Sequence, residues 1–363
     1  TIHLLIALCK ANCFPPEKVS PALLSIITDS KKPPAIQLRL IPALLSVDHS
    51  KYVVHQIIES IAPKLPSSKD EKRKIGQESL KELVRALSKD DYFILFQDLR
   101  NFLKEGRQIP VLFMSLNNML ANAVDCQGAF DNFIPLFSDL LLEDIFGFKG
   151  QMRSQKASEI PEAKKCMSYS SFQYLAKYVT FQTFSKELID SVLNQFKKLR
   201  TIDQSKGAKR IILCLSEGFV ENETVDAKTL VDTILYLLNI ADEIKKEDEE
   251  EDNKAERIQY GKKYEEDFFY EKPKRSTDEN DGINEIKNRL GNNYLVSLLA
   301  VRLLHVFFER ELFDTEDQQQ VELLESLLQR LWDFIQKAKD TETLVISLSI
   351  LEHYIKLPSF VNF

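Results

Sequence analysis

The sequence predicts an all-α fold, an α-solenoid of HEAT/armadillo-like helical hairpin repeats with two inserted loops. Apolar residues recur at helical spacing, for example at Leu80, Leu83, Val84 and Leu87, and give each helix one apolar face. Pairs of such helices recur about every 35 to 50 residues, in the range of HEAT and armadillo repeats. Glycine is scarce, with 10 in 363 residues, which favours helices over a loop-rich β fold.

The predicted helices can be placed in order along the chain. Pro34 starts a helix that Pro42 should kink. Ser68, three residues before Glu71, predicts a capping box for a later helix. Gly106 suits the C′ position of the helix after that one, where a positive φ is needed. Helix pairs are predicted to begin near Ala35, Lys69, Gln108, Ser168, Ser205, Asn292 and Asp340.

Two segments interrupt the repeats and define the predicted organisation. Residues 147–167 are polar and break the apolar period, so they are predicted to form a surface loop. Residues 243–291 are dense in charge and poor in apolar side chains, which predicts a largely disordered acidic insertion. The helical repeats are therefore expected over 1–146, 168–242 and 292–363.

Charge and cysteine content narrow the class of protein. The formal net charge is −7, of which −6 comes from residues 242–256, so basic patches can exist elsewhere. Five scattered cysteines predict a reduced, intracellular protein without a disulfide framework. No apolar stretch is long enough to cross a membrane. The chain opens inside an apolar helical pattern without a Met, so we interpret it as an internal fragment of a longer protein.

No motif for catalysis or cofactor binding occurs in the sequence. A P-loop, a dinucleotide fingerprint, a nucleophile elbow and a zinc-protease helix motif are all absent. Cys9 and Cys13 are interpreted as core thiols, because a structural zinc site needs four ligands and no second pair follows. Asp91 is interpreted as a helix cap rather than a general base. We therefore expect no enzyme, no cofactor, no metal and no small-molecule substrate.

Two basic clusters are the candidate contacts for nucleic-acid phosphates. The first contains Lys72, Arg73, Lys81 and Arg85. The second contains Lys197, Lys198, Arg200, Lys206, Lys209 and Arg210. Glutamates interleave the first cluster, which favours an ordinary solvated helix face there, whereas only Asp203 lies within the second. The second cluster is thus the better candidate for binding phosphates, an interaction that would be independent of sequence and sensitive to salt.

Four segments, in this order, resemble one known family. The first carries a Leu-Arg pair, a Gly-Xaa-Gln turn and a Val-Leu pair, and the others lie before and after the two insertions. The matching residues are Leu99–Arg100, Gly106–Arg107–Gln108, Val111–Leu112, Leu140–Met152, Tyr169–Val179 and Tyr294–Glu309. Together they resemble the DRIM (down-regulated in metastasis) family, the very large HEAT-repeat component of the small-subunit processome.

The resemblance implies a function as well as a fold. It implies a nucleolar, non-catalytic scaffold of the small-subunit processome, or 90S pre-ribosome, that is needed for pre-18S rRNA processing and small-subunit assembly. The implied partners are pre-ribosomal RNA and ribosome-assembly proteins, bound along an extended helical-repeat surface. The alternative hypothesis is a helical-repeat adaptor with protein partners alone, such as a transport receptor or a kinase-associated solenoid.

Overall fold

The described part of the chain is all-α, as the sequence predicts. The structure is a computed structural model that describes residues 7–8, 11, 15–29, 31–105, 108–147, 165–199, 201–244, 278–312 and 341–356, with single positions between 320 and 336. Within these residues every regular element is a helix and no strand forms. The chain divides into two compact units, Thr1–Thr180 and Phe181–Phe363. No helix in the described ranges is long and apolar enough to cross a membrane.

Unit 1 contains eight of the principal helices described in the chain. They are α1 (Pro16–Thr28), α2 (Pro34–Val47), α3 (Lys51–Ile61), α4 (Asp70–Ala86), α5 (Tyr92–Phe102), α6 (Ile109–Asn122), α7 (Ile134–Phe146) and α8 (Ser168–Tyr178). Most of these helices pack mainly on the helix two positions away in the chain, whereas α1 packs mainly on α2, and α7 packs on α8. Thus α2, α4, α6 and α8 form one layer, and α1, α3 and α5 form the second. This two-layer stacking confirms the predicted solenoid class of helical hairpins.

The position of α6 between α4 and α8 explains its composition. Ten of its fourteen residues are buried, from Pro110 to Leu120, because neighbours cover it on several sides. By contrast, α4 has the polar face expected of a helix with one exposed side. Gly76 lies where α4 meets the short 3₁₀ helix after α3, and an added Cβ would lie 3.0 Å from the Cβ of Lys64. This close approach favours a glycine, since an added Cβ would require its neighbours to shift by a few tenths of an ångström.

An aromatic cluster forms the centre of unit 1. Phe96 of α5 lies 5.3 Å from Phe133 and 4.9 Å from Phe137 of α7, measured between ring centroids. Phe130 adds an edge-on contact to Phe133 at 5.8 Å. All four rings are buried, and such tilted and edge-on pairs add stability beyond the burial of their area.

Contacts distant in sequence tie α8 to the turn before α7. The N–H of Gly128 donates to the carbonyl of Tyr178 at 2.7 Å, and Thr180 N donates to Asp131 Oδ1 at 3.1 Å. Gly128 has φ +77°, which a residue with a Cβ rarely adopts. In addition, Ser168 Oγ at the start of α8 donates to Asp144 Oδ2 near the end of α7, at 2.6 Å. The two helices that flank the first predicted insertion are thereby joined.

Unit 2 is built from five helices in the described residues. They are α9 (Phe181–Phe196), α10 (Ile202–Val220), α11 (227–244), α12 (Asp278–Glu309) and α13 (Thr341–Lys356). In the core, α10 packs on α12, and α12 packs on α13. Both α10 and α12 bury apolar residues, including Ile211, Leu215, Leu299 and Leu303. The apolar period of each helix therefore predicts the face that it buries.

Most predicted repeat starts lie near the start of an observed helix, and three local details differ. Asn292 lies inside α12, because that helix begins at Asp278, within the segment predicted as the second insertion. Ser68 does not cap α4, since Lys69 is the N-cap and makes no side-chain cap bond. The helix α5 ends at Phe102 with Leu103 as its C-cap, and Gly106, the predicted C′ residue, lies outside the described residues.

The two predicted insertions fall largely beyond the described part of the chain. Residues 148–164 of the first and 245–277 of the second lie outside the described residues. The predicted organisation into repeats and insertions therefore stays a prediction there. The described ends of the segments are the end of α7, the start of α8, the end of α11 and the start of α12.

We predict that the aromatic cluster dominates the stability of unit 1. Phe137→Ala should lower the free energy of unfolding by about 3–5 kcal/mol, because it leaves a cavity among buried rings. Phe93→Ala is the matched control, since Phe93 touches Phe133 at 5.3 Å but is 39% exposed, and should cost only about 1 kcal/mol. Urea unfolding followed by circular dichroism measures both. Equal losses would contradict the central role of the cluster.

Candidate nucleic-acid interface

The turn between α9 and α10 presents lysines because apolar side chains anchor it. Phe196 at the end of α9 and Leu199 within the turn are buried, whereas Lys197 and Lys198 between them are exposed. A capping box then starts α10, in which Thr201 Oγ1 accepts from the N–H of Gln204 at 3.2 Å. The backbone of the turn is thus fixed at both ends. We call Lys197 and Lys198 the basic turn.

The basic turn carries charge that its neighbours do not neutralise. Among the described residues, the side chains of Lys197 and Lys198 make no ion pair. Arg200, also predicted as a phosphate contact, lies outside the described residues. Two adjacent exposed ammonium groups on an anchored turn can bind an anion without first breaking an internal salt bridge.

The predicted residues on α10 have more varied environments. Lys206 Nζ lies 3.0 Å from Asp203 Oδ1, but both side chains are largely exposed, so this pair contributes little. Lys209 is half-buried, and its Nζ lies 5.1 Å from the centre of the Tyr294 ring of α12, a cation–π contact. Arg210 is exposed. Lys206 and Arg210 are four residues apart, so they share a face of α10.

A small cavity lies directly beside the basic turn. Its volume is about 180 Å³, and Lys197, Asp190 and Tyr236 are among the residues that line it. The Tyr236 hydroxyl donates to Asp190 Oδ1 at 2.8 Å. Burial and the Asp190 carboxylate raise the pKa of Tyr236 to about 12, so the phenol keeps its proton and remains a donor at neutral pH.

The first basic cluster is mostly a helix face paired with its own acidic residues. Lys81 Nζ lies 2.7 Å from Glu78 Oε1, and Arg85 lies 3.0 Å from Glu82. These pairs have the i, i+3 spacing of helix neighbours and offset the cationic charge. Lys72 is exposed. The interleaved glutamates noted in the sequence therefore fall within reach of the cations.

Arg73 was predicted to contact phosphates from an exposed position, but the structure buries it. Only 4% of the residue is exposed. Its guanidinium donates to the carbonyls of Ser67 and Ser68 at 3.1 and 3.2 Å and to Asp70 Oδ1 at 3.0 Å. The side chain thus holds the loop before α4, and it is not presented to a nucleic acid.

Two cationic residues outside both basic clusters line a second cavity. Arg100 and Lys104, four residues apart, line a cavity of about 350 Å³ in unit 1, with Leu103, Leu112 and Leu140 among the other lining residues. Both cations are exposed, and neither pairs with an acidic group in the described residues. Their i, i+4 spacing at the end of α5 was visible in the sequence. The cavity arises from three helices, which spacing alone does not reveal.

The remaining candidate polar residues and cysteines form no catalytic or metal-binding group among the described residues. Asp91 is the N-cap residue of α5, as predicted, but its side chain makes no cap hydrogen bond and accepts from Ser88 Oγ at 2.6 Å instead. Burial raises the pKa of the Cys126 and Cys214 thiols to about 11. Cys9 and Cys13 lie outside the described residues. Within the residues that the structure covers, no group of three or more His, Cys, Asp or Glu could hold a metal.

A comparison with models of known protein families shows the family to which this chain belongs. The model of the U3 small nucleolar RNA-associated protein 20 (UTP20) domain matches residues 33–238, more than half of the 363 residues. The chain belongs to the UTP20 domain family. This match agrees with the family resemblance seen in the sequence and supports a role in the small-subunit processome and in ribosome biogenesis. A search of curated proteins finds no match.

The matched UTP20 region covers the features described above. It runs from the residue before α2 into α11, so it contains both basic clusters, both cavities and the basic turn. The exceptions are Ile240, Ile244 and Val296, which line the unit 2 cavity from beyond the matched residues. The candidate interface of this UTP20 domain therefore lies almost entirely within the family region.

We predict that replacing Arg73 by Ala destabilises the fold far more than replacing its neighbour Lys72 by Ala. Arg73→Ala should lower the free energy of unfolding by about 1–3 kcal/mol, because the carbonyls of Ser67 and Ser68 and the Asp70 carboxylate lose a charged donor. Lys72→Ala should change it by less than about 0.5 kcal/mol, since the side chain is exposed. Thermal unfolding of the two variants side by side measures the difference. Similar melting curves would refute the structural role of Arg73.

Proposed function

We propose that this chain is a non-catalytic scaffold of the small-subunit processome that acts in the nucleolus. In this role it binds pre-ribosomal RNA and assembly factors along its helical surface, and it is needed for pre-18S rRNA processing and small-subunit assembly. Membership of the UTP20 domain family is the observation that carries the proposal. The stacked helices support it, because such arrays offer long surfaces to large partners.

The basic turn is the proposed contact with RNA phosphates. Lys197 and Lys198 are exposed, adjacent and without an ion pair among the described residues. Lys206 and Arg210 extend positive charge along one face of the neighbouring helix. Each phosphate contact releases condensed counterions, so binding through these groups weakens as salt concentration rises. The first basic cluster contributes less, because its cations are largely paired.

A scaffold role without catalysis is part of the same proposal. The sequence has no nucleotide-binding or hydrolase motif. His55 Nδ1 lies 2.8 Å from Asp98 Oδ2, and the His55 ring lies 6.0 Å from the Phe102 ring between centroids. No nucleophile accompanies this pair in those contacts, and it links α3 to α5, which is a structural role.

We predict that reversing the charge of the basic turn weakens RNA binding in a salt-dependent manner. Lys197→Glu/Lys198→Glu should reduce affinity for single-stranded RNA, and the slope of log affinity against log salt should become shallower by about 1.4, for two lost contacts. Lys69→Glu/Lys72→Glu is the matched control, because it makes the same charge change at two exposed positions at the start of α4. Fluorescence anisotropy over a salt series measures both. Identical slopes for the two double variants would contradict the basic turn as the contact.

The cellular role has a separate prediction. Depletion of the full-length protein should lower mature 18S rRNA, and the protein should co-sediment with pre-ribosomal particles. Re-expression of a form with the Lys197→Glu/Lys198→Glu change should restore 18S rRNA incompletely, whereas the Lys69→Glu/Lys72→Glu form should restore it. A normal rRNA profile after depletion would refute the scaffold role and favour an adaptor with protein partners alone.

A further inference from the structure

The cavity beside the basic turn has the size and position of a site for one ring system. Its volume of about 180 Å³ is below the roughly 300–1,000 Å³ of pockets for drug-sized ligands. It lies between α9, α11 and α12, with Ile240 and Val296 among its apolar lining residues. Lys197 and Asn194 also line it and are exposed, so the cavity opens at the protein surface next to the basic turn.

The acidic group that lines this cavity is the carboxylate of Asp190. Its Oδ1 accepts a hydrogen bond from the Tyr236 hydroxyl, while the Lys186 ammonium lies 4.2 Å from the centre of the Tyr236 ring. These contacts hold the carboxylate and the phenol in place. A carboxylate has about four lone-pair sites and Tyr236 uses one, so Asp190 can accept further hydrogen bonds from a ligand in the cavity. The cavity therefore favours a flat, partly apolar ligand that presents an N–H donor.

We propose that this cavity binds one unpaired nucleobase of RNA and that Asp190 selects bases with an exocyclic amino group. The proposal rests on the RNA binding proposed above and adds base selection to it. Lys197 belongs both to the basic turn and to the cavity lining, so a strand whose phosphate contacts Lys197 brings its base to the cavity mouth. Proteins read single-stranded RNA through such splayed bases and their Watson–Crick edges.

The chemistry of Asp190 distinguishes the two pyrimidines. Cytosine presents an amino donor at N4, which pairs with a carboxylate. Uracil presents a carbonyl oxygen at the same place, and two negatively polarised oxygens repel each other. The two bases are otherwise nearly equal in size and shape, so apolar contacts in the cavity do not separate them. Asp190 should thus favour cytidine by about tenfold in affinity, within the range of a good base contact.

The test compares cytidine and uridine homopolymers of equal length at one salt concentration and pH 7.5. The wild-type chain should bind oligocytidine about tenfold more tightly than oligouridine, and Asp190→Asn should remove this ratio. Asn keeps an oxygen for the Tyr236 hydroxyl and presents an amide N–H to the carbonyl of uracil. Tyr236→Phe should keep the ratio, because the carboxylate remains. The control Asp232→Asn, at an exposed position of α11, should also keep it.

The ratio of two affinities from one protein sample does not depend on the folded fraction, so a partly unfolded variant remains informative. Equal binding of the two homopolymers by the wild type, or an unchanged ratio in Asp190→Asn, would overturn base selection by Asp190. In that case a salt slope that still depends on Lys197 and Lys198 would leave the proposed RNA binding intact. Absence of any RNA binding would instead refute the proposed function and base selection together.

Discussion

The structure of unit 1 depends on a single constraint, which is that each amphipathic helix has more apolar surface than one neighbour can cover. Stacking helix upon helix at every second position resolves it, and α6 between α4 and α8 is the fullest example, with ten of fourteen residues buried. The aromatic cluster around Phe133 fills the space where this stacking meets the turns. Without neighbours on both sides, α6 would expose a large apolar surface to water, at about 25 cal/mol per Å².

The same constraint explains where function can reside. Helix faces are used for packing, so groups available to partners concentrate at turns and at the edges between layers. The turn between α9 and α10 illustrates this, since Phe196 and Leu199 occupy the core while Lys197 and Lys198 remain in solvent. The cavity next to it forms where three helices meet incompletely. A charged turn and an adjoining pocket are therefore products of ordinary packing, combined at one place.

The sequence predicted the fold better than it predicted the site. Helical periodicity located most repeat starts, because a helix that buries one face needs apolar residues at helical spacing. It could not distinguish Arg73 from Lys72, because both occupy the polar part of α4 and only the path of the preceding loop brings the carbonyls of Ser67 and Ser68 to Arg73. Likewise Asp190 and Tyr236 are 46 residues apart, and their pairing depends on how α9 and α11 meet. Contacts of this kind require the tertiary structure.

The hydrogen bond from Ser168 to Asp144 has a consequence for how the sequence of this chain can evolve. It fixes the end of α7 to the start of α8, so the described residues on either side of the intervening segment are joined directly to each other. The chain between two fixed ends is a closed loop, and doubling the length of such a loop costs only about 0.6 kcal/mol in closure entropy. Related chains can therefore lengthen, shorten or replace this segment while the stack stays intact. The joint between α7 and α8 makes it a place where new contacts can be acquired at low cost to folding.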